Sequence, residues 1–403
     1  YRSLTGAFFT SLVILAPITT LLGMATPLAV RLVVEDKNSS GSAAGNIYAL
    51  STIGSIIGTF SAGFWLIPNY GVHKILFGVS MALIISAIIT ASSSYIKFSI
   101  LIVIFMLSTF YFVNDPKLAF ALFYEDKFGV DVIADMDTMY NRIWIYDEDA
   151  NEEDHVRTLA NSQSSIYMER PIEDMLVFDL YDYFNLAPVY KRDINDALMI
   201  GGGAYTYATF LNNVHPDWEL DVVEIDGGLL PISKEYFRFE ESENFTNFAM
   251  DGRYYLNKND KKYDVIFLDA YRNGDAMPFQ LVTKEAYRLM FNSLNENGLL
   301  IINMLSTLDG ETSKLFKSQY ATLKTYFNDI KVFPAWSKNP YVHQNIVLIA
   351  TKGSGHYFNN NLSGEHEDAL SMEYLRSIDF SQNIVLTDDY APVEYYDKQR
   401  ILR

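Results

Sequence analysis

The sequence predicts a multi-span α-helical membrane anchor joined to an α/β, Rossmann-like domain, with a small β-unit between them. Three observations carry this prediction: four apolar runs within the first 117 residues, a later alternation of apolar strands with helical stretches, and the tripeptide Gly201-Gly202-Gly203 closing one of those strands. Charge divides the chain the same way. Six Lys/Arg stand against three Asp/Glu in residues 1–117 and 25 against 46 in the remainder, within 403 residues of net charge −18. The expected units are therefore an anchor over 1–117, a β-unit over 118–170 and a nucleotide-binding domain over 171–403.

The anchor runs are Gly6 to Val34, Ala43 to Ile67, Ile75 to Ala91 and Phe98 to Val113. Stretches of roughly 17 to 25 apolar residues match a hydrocarbon core of about 30 Å at about 1.5 Å per residue. Pro17 and Pro27 fall inside the first run, where they are expected to kink or break it. That run leads directly into further apolar segments, so it is not read as a leader peptide, and more spans are expected ahead of Tyr1. Arg2, Lys74 and Lys117 balance Arg31, Lys37 and Lys97 across alternate sides, so basic residues give no orientation. Gly54 and Gly58, four residues apart, permit close helix approach, either internally, to another copy or to a membrane-protein partner. No ionisable residue sits mid-run, which argues against an ion path.

Residues 130–168 alternate and turn, predicting two or three short strands. "PIEDMLVFDLYDYFNL", 171–186, opens on Pro with acids beside it and predicts a helix. There follow a strand at "DALMIGGG", a helix to about Asn213, a strand at "WELDVVEID", a helix at "LLPISKEYF" and strands at "FTNFAM" and "YDVIFLDAY". A helix at "TKEAYRLMFNSL", a strand at "GLLIINML", a helix at "SKLFKSQYATLKTYF" and strands at "DIKVFPAW" and "HQNIVLIAT" complete the series. This rhythm means a mostly parallel sheet covered on both faces, and the short last connection predicts an antiparallel edge.

Composition excludes several chemistries. There is no cysteine, hence no disulfide or thiolate site, and the six histidines show no ligand spacing, so no metal is expected. The acidic soluble part lacks the basic face that nucleic acid requires.

Ligands of such sheets bind beyond the carboxyl ends of the strands. Gly201, Gly202 and Gly203 end the first strand and allow close backbone approach, with helix N–H groups facing the ligand. Glu224 ends the second strand, where a carboxylate accepts from both ribose hydroxyls. Asp251 follows the third strand and suits an exocyclic adenine amine, and Asp269 closes the fourth beside the reacting group. Tyr205, Tyr207 and Tyr271 are further hydroxyl candidates. "RNGDAMPFQLVTKEAY" reads either as a substrate gate or as a plain connector with Thr283 as N-cap.

In order, "GMATPLAVRL", "AGNIYALSTIGSIIGTFSAGFWLIPNYG", "YNRIWIYDED", "RTLANSQSSIY", "LMIGGGAYT", "VVEID", "YDVIFLDAY" and "LTDDYAPVE" resemble the spermidine synthase family of polyamine aminopropyltransferases, and more closely its membrane-fused members. The resemblance implies a methyltransferase-type Rossmann-like fold and a donor of the S-adenosylmethionine type, decarboxylated in the family. It implies Gln163 lining the substrate site, Glu224 holding ribose, Asp251 adenine, and Asp269 positioning or deprotonating an attacking amine. Two family acids are absent: Ala204 stands where an aspartate pairs with the donor's amine, and Arg272 where a second aspartate follows the catalytic one. Asp275 in the following loop is a candidate to substitute for the missing acid, and Tyr271 a candidate substrate-site hydroxyl. Three readings stay open: aminopropyl transfer to an amine, methyl or related transfer from S-adenosylmethionine, and an inactive accessory subunit of a membrane complex. Because the donor is made in the cytosol, the resemblance places the soluble domain of this integral membrane protein at the cytoplasmic face.

Overall fold

The structure is a computed structural model that describes residues 4–34, 40–90, 100, 102–104, 106–107, 130–148, 155–161, 165–169, 176–271, 277–353 and 357–401. Two compact units make up the chain, Tyr1–Phe105 with Ile401–Arg403, and Met106–Arg400.

In the first unit, α1 spans Leu4–Val33, and the expected break at Pro17 and Pro27 does not occur, since both lie inside one helix. The next helix, α2, spans Ser40–Ser61 and passes through a π-helical turn, Ala62–Leu66, into α3, Ile67–Thr90. The connector expected between the second and third runs is therefore helical. Phe8–Val33 and Ser40–Leu66 are long and apolar enough to cross a membrane, while Lys74–Ile89 is shorter. Large apolar side chains such as Phe8, Phe64 and Leu50 stand exposed on these helices. Hydroxyls on them turn inward: Thr19 donates to the Leu15 carbonyl, Thr52 to that of Tyr48 and Ser86 to that of Ala82, each at 2.9 Å. Most of the fourth run lies outside the described residues.

The second unit holds two sheets. Strands β1 (Asp131–Asp137), β2 (Arg142–Glu148), β3 (Val156–Asn161) and β4 (Ser165–Glu169) form an antiparallel meander, one strand more than the two or three expected. The helix expected over 171–186 is later and shorter among the described residues: α4 is Leu180–Phe184 and α5 is Ala187–Tyr190.

The larger sheet comprises β5 (Asp196–Ile200), β6 (Glu219–Glu224), β7 (Phe245–Ala249), β8 (Tyr263–Leu268), β9 (Leu294–Ser306), β10 (Asp329–Pro334) and β11 (Gln344–Thr351), ordered β10-β11-β9-β8-β5-β6-β7. Strands β5 to β9 pair in parallel. The expected antiparallel edge is present as the pair of β10 and β11. It is β11 that runs antiparallel, and it lies one strand in from the edge, between β9 and β10. A hairpin that folds β11 back onto β9 satisfies both its ladders and leaves β10 outermost.

Helices α6 (Thr206–Val214), α7 (Leu229–Tyr236), α9 (Lys284–Ser293) and α10 (Lys314–Leu323) lie where the apolar periodicity predicts. An additional helix, α8 (Gly252–Lys258), occupies what reads in sequence as a direct passage between two strands. Parallel strands demand a crossover, and α8 supplies it between β7 and β8. Two more helices follow the sheet, α11 (Gly364–Ser371) and α12 (Val393–Ile401). One face of the sheet packs Phe267, Ile301 and Val347 under Tyr181, Phe184 and Tyr207, and the other packs Ile266, Ile302 and Leu348 under Tyr287 and Phe316. The chain reverses its winding at β5, so the carboxyl ends of β5 and β8 frame the crevice.

Candidate active site

The crevice depends first on Gly201. Its φ is +98°, and a Cβ there would lie 2.3 Å from the Asp269 carbonyl oxygen. The glycine therefore lets the ends of β5 and β8 meet, more than it admits a ligand. Gly201 N–H donates to the Val223 carbonyl and Asp269 N–H to that of Ile200, at 2.9 and 3.0 Å.

Glu224 is held by backbone donors. Its Oε2 accepts from the N–H groups of Gly202 and Gly203 at 2.8 and 3.1 Å, and its Oε1 from Asp226 N–H at 2.9 Å. The glycine N–H groups thus face this carboxylate rather than a ligand. A carboxylate oxygen accepts about two hydrogen bonds, so Oε1 retains capacity for one hydroxyl rather than the two expected. Burial raises the Glu224 pKa, and the three backbone donors oppose that rise.

Asp251 caps α8: its Oδ1 accepts from Tyr254 N–H at 2.8 Å. The second oxygen meets Gln280 Nε2 at 3.5 Å, a long contact that leaves it open to a better donor. Asp226, which sequence reasoning passed over, is 1% exposed and accepts from Gly228 N–H and from Thr138 of the small sheet. Burial raises its pKa as well.

Asp269 follows β8 directly and is 8% exposed. Its Oδ1 accepts from Asn303 Nδ2 at 2.9 Å. Burial pushes its pKa from 3.8 up to about 6, against the pull of that hydrogen bond. A carboxyl group balanced in this range serves as a general base near neutral pH. Asn303 in turn accepts from Asn345 Nδ2 at 2.9 Å. Neither asparagine was singled out from sequence. The available signal was an amide interrupting the apolar run of β9 at Asn303 and one opening that of β11 at Asn345.

These groups share a cavity of about 260 Å³. Gly201, Glu224, Asp226, Asp251, Asp269, Tyr271, Asn303 and Asn345 line it from the large sheet, with Asn141, Ile143, Leu159 and Asn161 from the small sheet and Phe178, Leu180 and Tyr181 beside them. The carboxylates are four, and no Lys, Arg or His lines the cavity among the described residues. Tyr271 donates to the Asn303 carbonyl at 3.3 Å, and burial raises its pKa. No group of three or more metal-ligating side chains occurs among the described residues.

Other candidates fall elsewhere. Tyr205 is buried with its hydroxyl on Asn247 Oδ1 at 2.7 Å, and Tyr207 stacks on Tyr181 and donates to Asn185 Oδ1. Both are core residues. Ala204 is fully buried in the same core and does not line the cavity. Gln163, Arg272 and Asp275 lie outside the described residues. Thr283 caps α9 through Ala286 N–H at 3.2 Å. The "LTDDYAPVEYY" segment docks beside it: Asp388 binds Arg253 at 2.7 Å and Thr283 Oγ1 at 2.6 Å, and Leu386 and Val393 are fully buried.

Residues 185–361 match the spermine/spermidine synthase domain. A probable polyamine aminopropyl transferase of Bifidobacterium longum is 31% identical over 236 residues, 53% of this chain and 51% of that protein. The polyamine aminopropyltransferase of Vibrio vulnificus is 33% identical over 139 residues, 34% and 44% of the two chains. The chain thus spans about half the length of these relatives. Among solved structures, a probable spermidine synthase from Corynebacterium glutamicum superposes with a TM-score of 0.49 at 19% identity, over 61% of this chain and 87% of the other.

Proposed function

From the premise that the chain carries a spermine/spermidine synthase domain over residues 185–361, we propose that it transfers an aminopropyl group from decarboxylated S-adenosylmethionine to an amine. The observation that carries this reading is the cavity wall: four carboxylates and, among the described residues, no basic side chain. A sulfonium donor and an amine acceptor are cations or become cationic, and such a wall attracts both. The carboxylate of ordinary S-adenosylmethionine would meet like charges on this wall, where no described side chain is a cation able to pair it, which favours the decarboxylated donor.

In the reaction, the acceptor nitrogen attacks the methylene carbon next to the sulfonium. A C–N bond forms as the C–S bond breaks, its electron pair stays on sulfur, and a neutral thioether leaves. The surplus proton on nitrogen passes to Asp269, whose raised pKa suits it to take that proton. On the donor side, Glu224 Oε1 accepts a ribose hydroxyl and Asp251 Oδ2 the adenine amine. No metal takes part, because the sulfonium already carries its leaving group. Catalysis then rests on in-line orientation of the reactants.

We also read Phe8–Val33 and Ser40–Leu66 as membrane spans, with the enzyme unit on the cytoplasmic side where its donor is made. Calorimetric titration of the full chain in detergent tests the donor: the decarboxylated form is expected to bind at least tenfold tighter than S-adenosylmethionine. Mass spectrometry of a diamine incubated with it should show one added aminopropyl group. A preference for the carboxylated donor, or binding of neither, overturns the proposal. Resistance of the full chain to alkaline extraction from membranes tests the anchor.

A further inference from the structure

Asp269, Asn303 and Asn345 are brought into line by register. Leu268 pairs with Ile302, so the next residues, Asp269 and Asn303, stand side by side. Across β9 and β11, Asn303 pairs with Val347 and Asn345 with Leu305, which places the two asparagines diagonally on one face. That face is the one carrying Phe267, Ile301 and Val347, and the three polar residues form its margin at the cavity.

Charge then fixes the direction of the chain. An ionised carboxylate only accepts, so Asn303 must turn Nδ2 toward Asp269 and Oδ1 away. That oxygen takes Asn345 Nδ2, and Asn345 is left with Oδ1 as the outermost acceptor of the series. Asp269 Oδ1 is meanwhile held by Asn303, which leaves Oδ2 to meet a substrate.

We propose that Asn303 and Asn345 form an amide ladder in which Asn303 holds one oxygen of Asp269 so that the other faces the cavity, while the Asn345 carbonyl accepts a second hydrogen from the incoming amine. Asn303 is a positioning residue, and Asn345 is a substrate contact. The second half rests on the reading that the cavity takes an amine. With two acceptors, one a carboxylate and one a neutral carbonyl, the ladder orients a primary amine's lone pair without adding charge. The titratable groups that share the cavity with Asp269 are Glu224, Asp226 and Asp251, Tyr181 of α4, and Tyr271 two residues on in its own segment, and burial raises the pKa of both tyrosines.

The ladder is tested without turnover by infrared titration of the full chain in detergent, following the protonated-carboxyl stretch that is lost in Asp269→Asn. Removing a charged hydrogen bond in Asn303→Leu should raise the Asp269 midpoint by about one to two pH units. Asn303→Asp, which preserves shape, should raise it also, because two adjoining carboxyl groups share a proton. An unchanged midpoint in folded Asn303→Asp protein overturns the ladder. For the amine contact, Asn345→Leu should raise KM for the amine about tenfold with donor Kd unchanged. A KM that does not move, or a KM and donor Kd that rise together, overturns that half. Absence of turnover in the parent overturns the proposed reaction and the amine contact with it, and the infrared result still judges the ladder.

Discussion

Replacing Asp269 by asparagine should stabilise the protein in a pH-dependent way. The folded carboxyl titrates at about 6 against 3.8 for the ordinary group, so between these values the folded state holds its proton more tightly than the unfolded state does. Stability therefore falls as pH rises through that window, and above it the ionised carboxylate costs about 3 kcal/mol, at 1.36 kcal/mol per pH unit. Below both values the cost vanishes. Asp269→Asn keeps the size of the group and its acceptor for Asn303 but cannot ionise. Its advantage over the parent should be about 3 kcal/mol larger at pH 8 than at pH 3.5. Denaturant unfolding of the full chain in detergent, followed by fluorescence of the buried Trp144, measures both proteins at both pH values. All other acids are common to the pair and cancel in the comparison. The reasoning is refuted if the difference between variant and parent is the same at the two pH values. The variant should also lose aminopropyl transfer, so that the carboxylate lowers stability while supplying the base.

Three further outcomes are expected. Gly201→Ala drives a Cβ into the Asp269 backbone at a φ of +98° and should cost about 2–4 kcal/mol in denaturant stability from strain and overpacking; an unchanged midpoint would show the strand ends to be apart. Glu224→Ala leaves the N–H groups of Gly202, Gly203 and Asp226 without their acceptor, and should lower denaturant stability by about 1–3 kcal/mol for each buried group orphaned, while loss of the ribose acceptor should weaken donor binding at least tenfold by calorimetry. Asp388→Ala removes a half-exposed partner of Arg253, so the denaturation midpoint should fall by less than about 1 kcal/mol. Because Arg253 also donates to Gln280, beside Asp251, donor Kd should rise several-fold in the same variant.

The acids at the strand ends were legible because β-strands in a parallel sheet are nearly all apolar, so a carboxylate at a strand's carboxyl end stands out against its context. What Glu224 does was not legible. Its three partners are backbone N–H groups, and nothing in side-chain spelling marks them. Asn303 and Asn345 stayed hidden for a related reason: the three residues of the ladder come from separate strands, 34 and 42 positions apart, and only strand order makes them neighbours. Helix α8 was missed because "GRYYLNK" is short and begins with glycine, although Asp251 ahead of it is a strong N-cap. Tyr205 and Tyr207 show the opposite error. They lie near the glycines in sequence, but the helix that carries them turns its aromatic face into the core. In the first unit, hydropathy revealed the apolar runs, whereas the continuous helix from Ser40 to Thr90 was concealed by the polar letters between two of them.

The placement of β11 also bears on how the protein is made. It enters the sheet between two strands that precede it in the chain, so a nascent polypeptide interrupted before residue 344 would present β9 as an unpaired edge. The same fragment would have Asp269 and Asn303 but no Asn345 behind them. Completion of this margin of the cavity is thus deferred until the ribosome has finished the strand that closes the sheet. A truncated product exposes a strand edge and lacks part of the cavity wall at once.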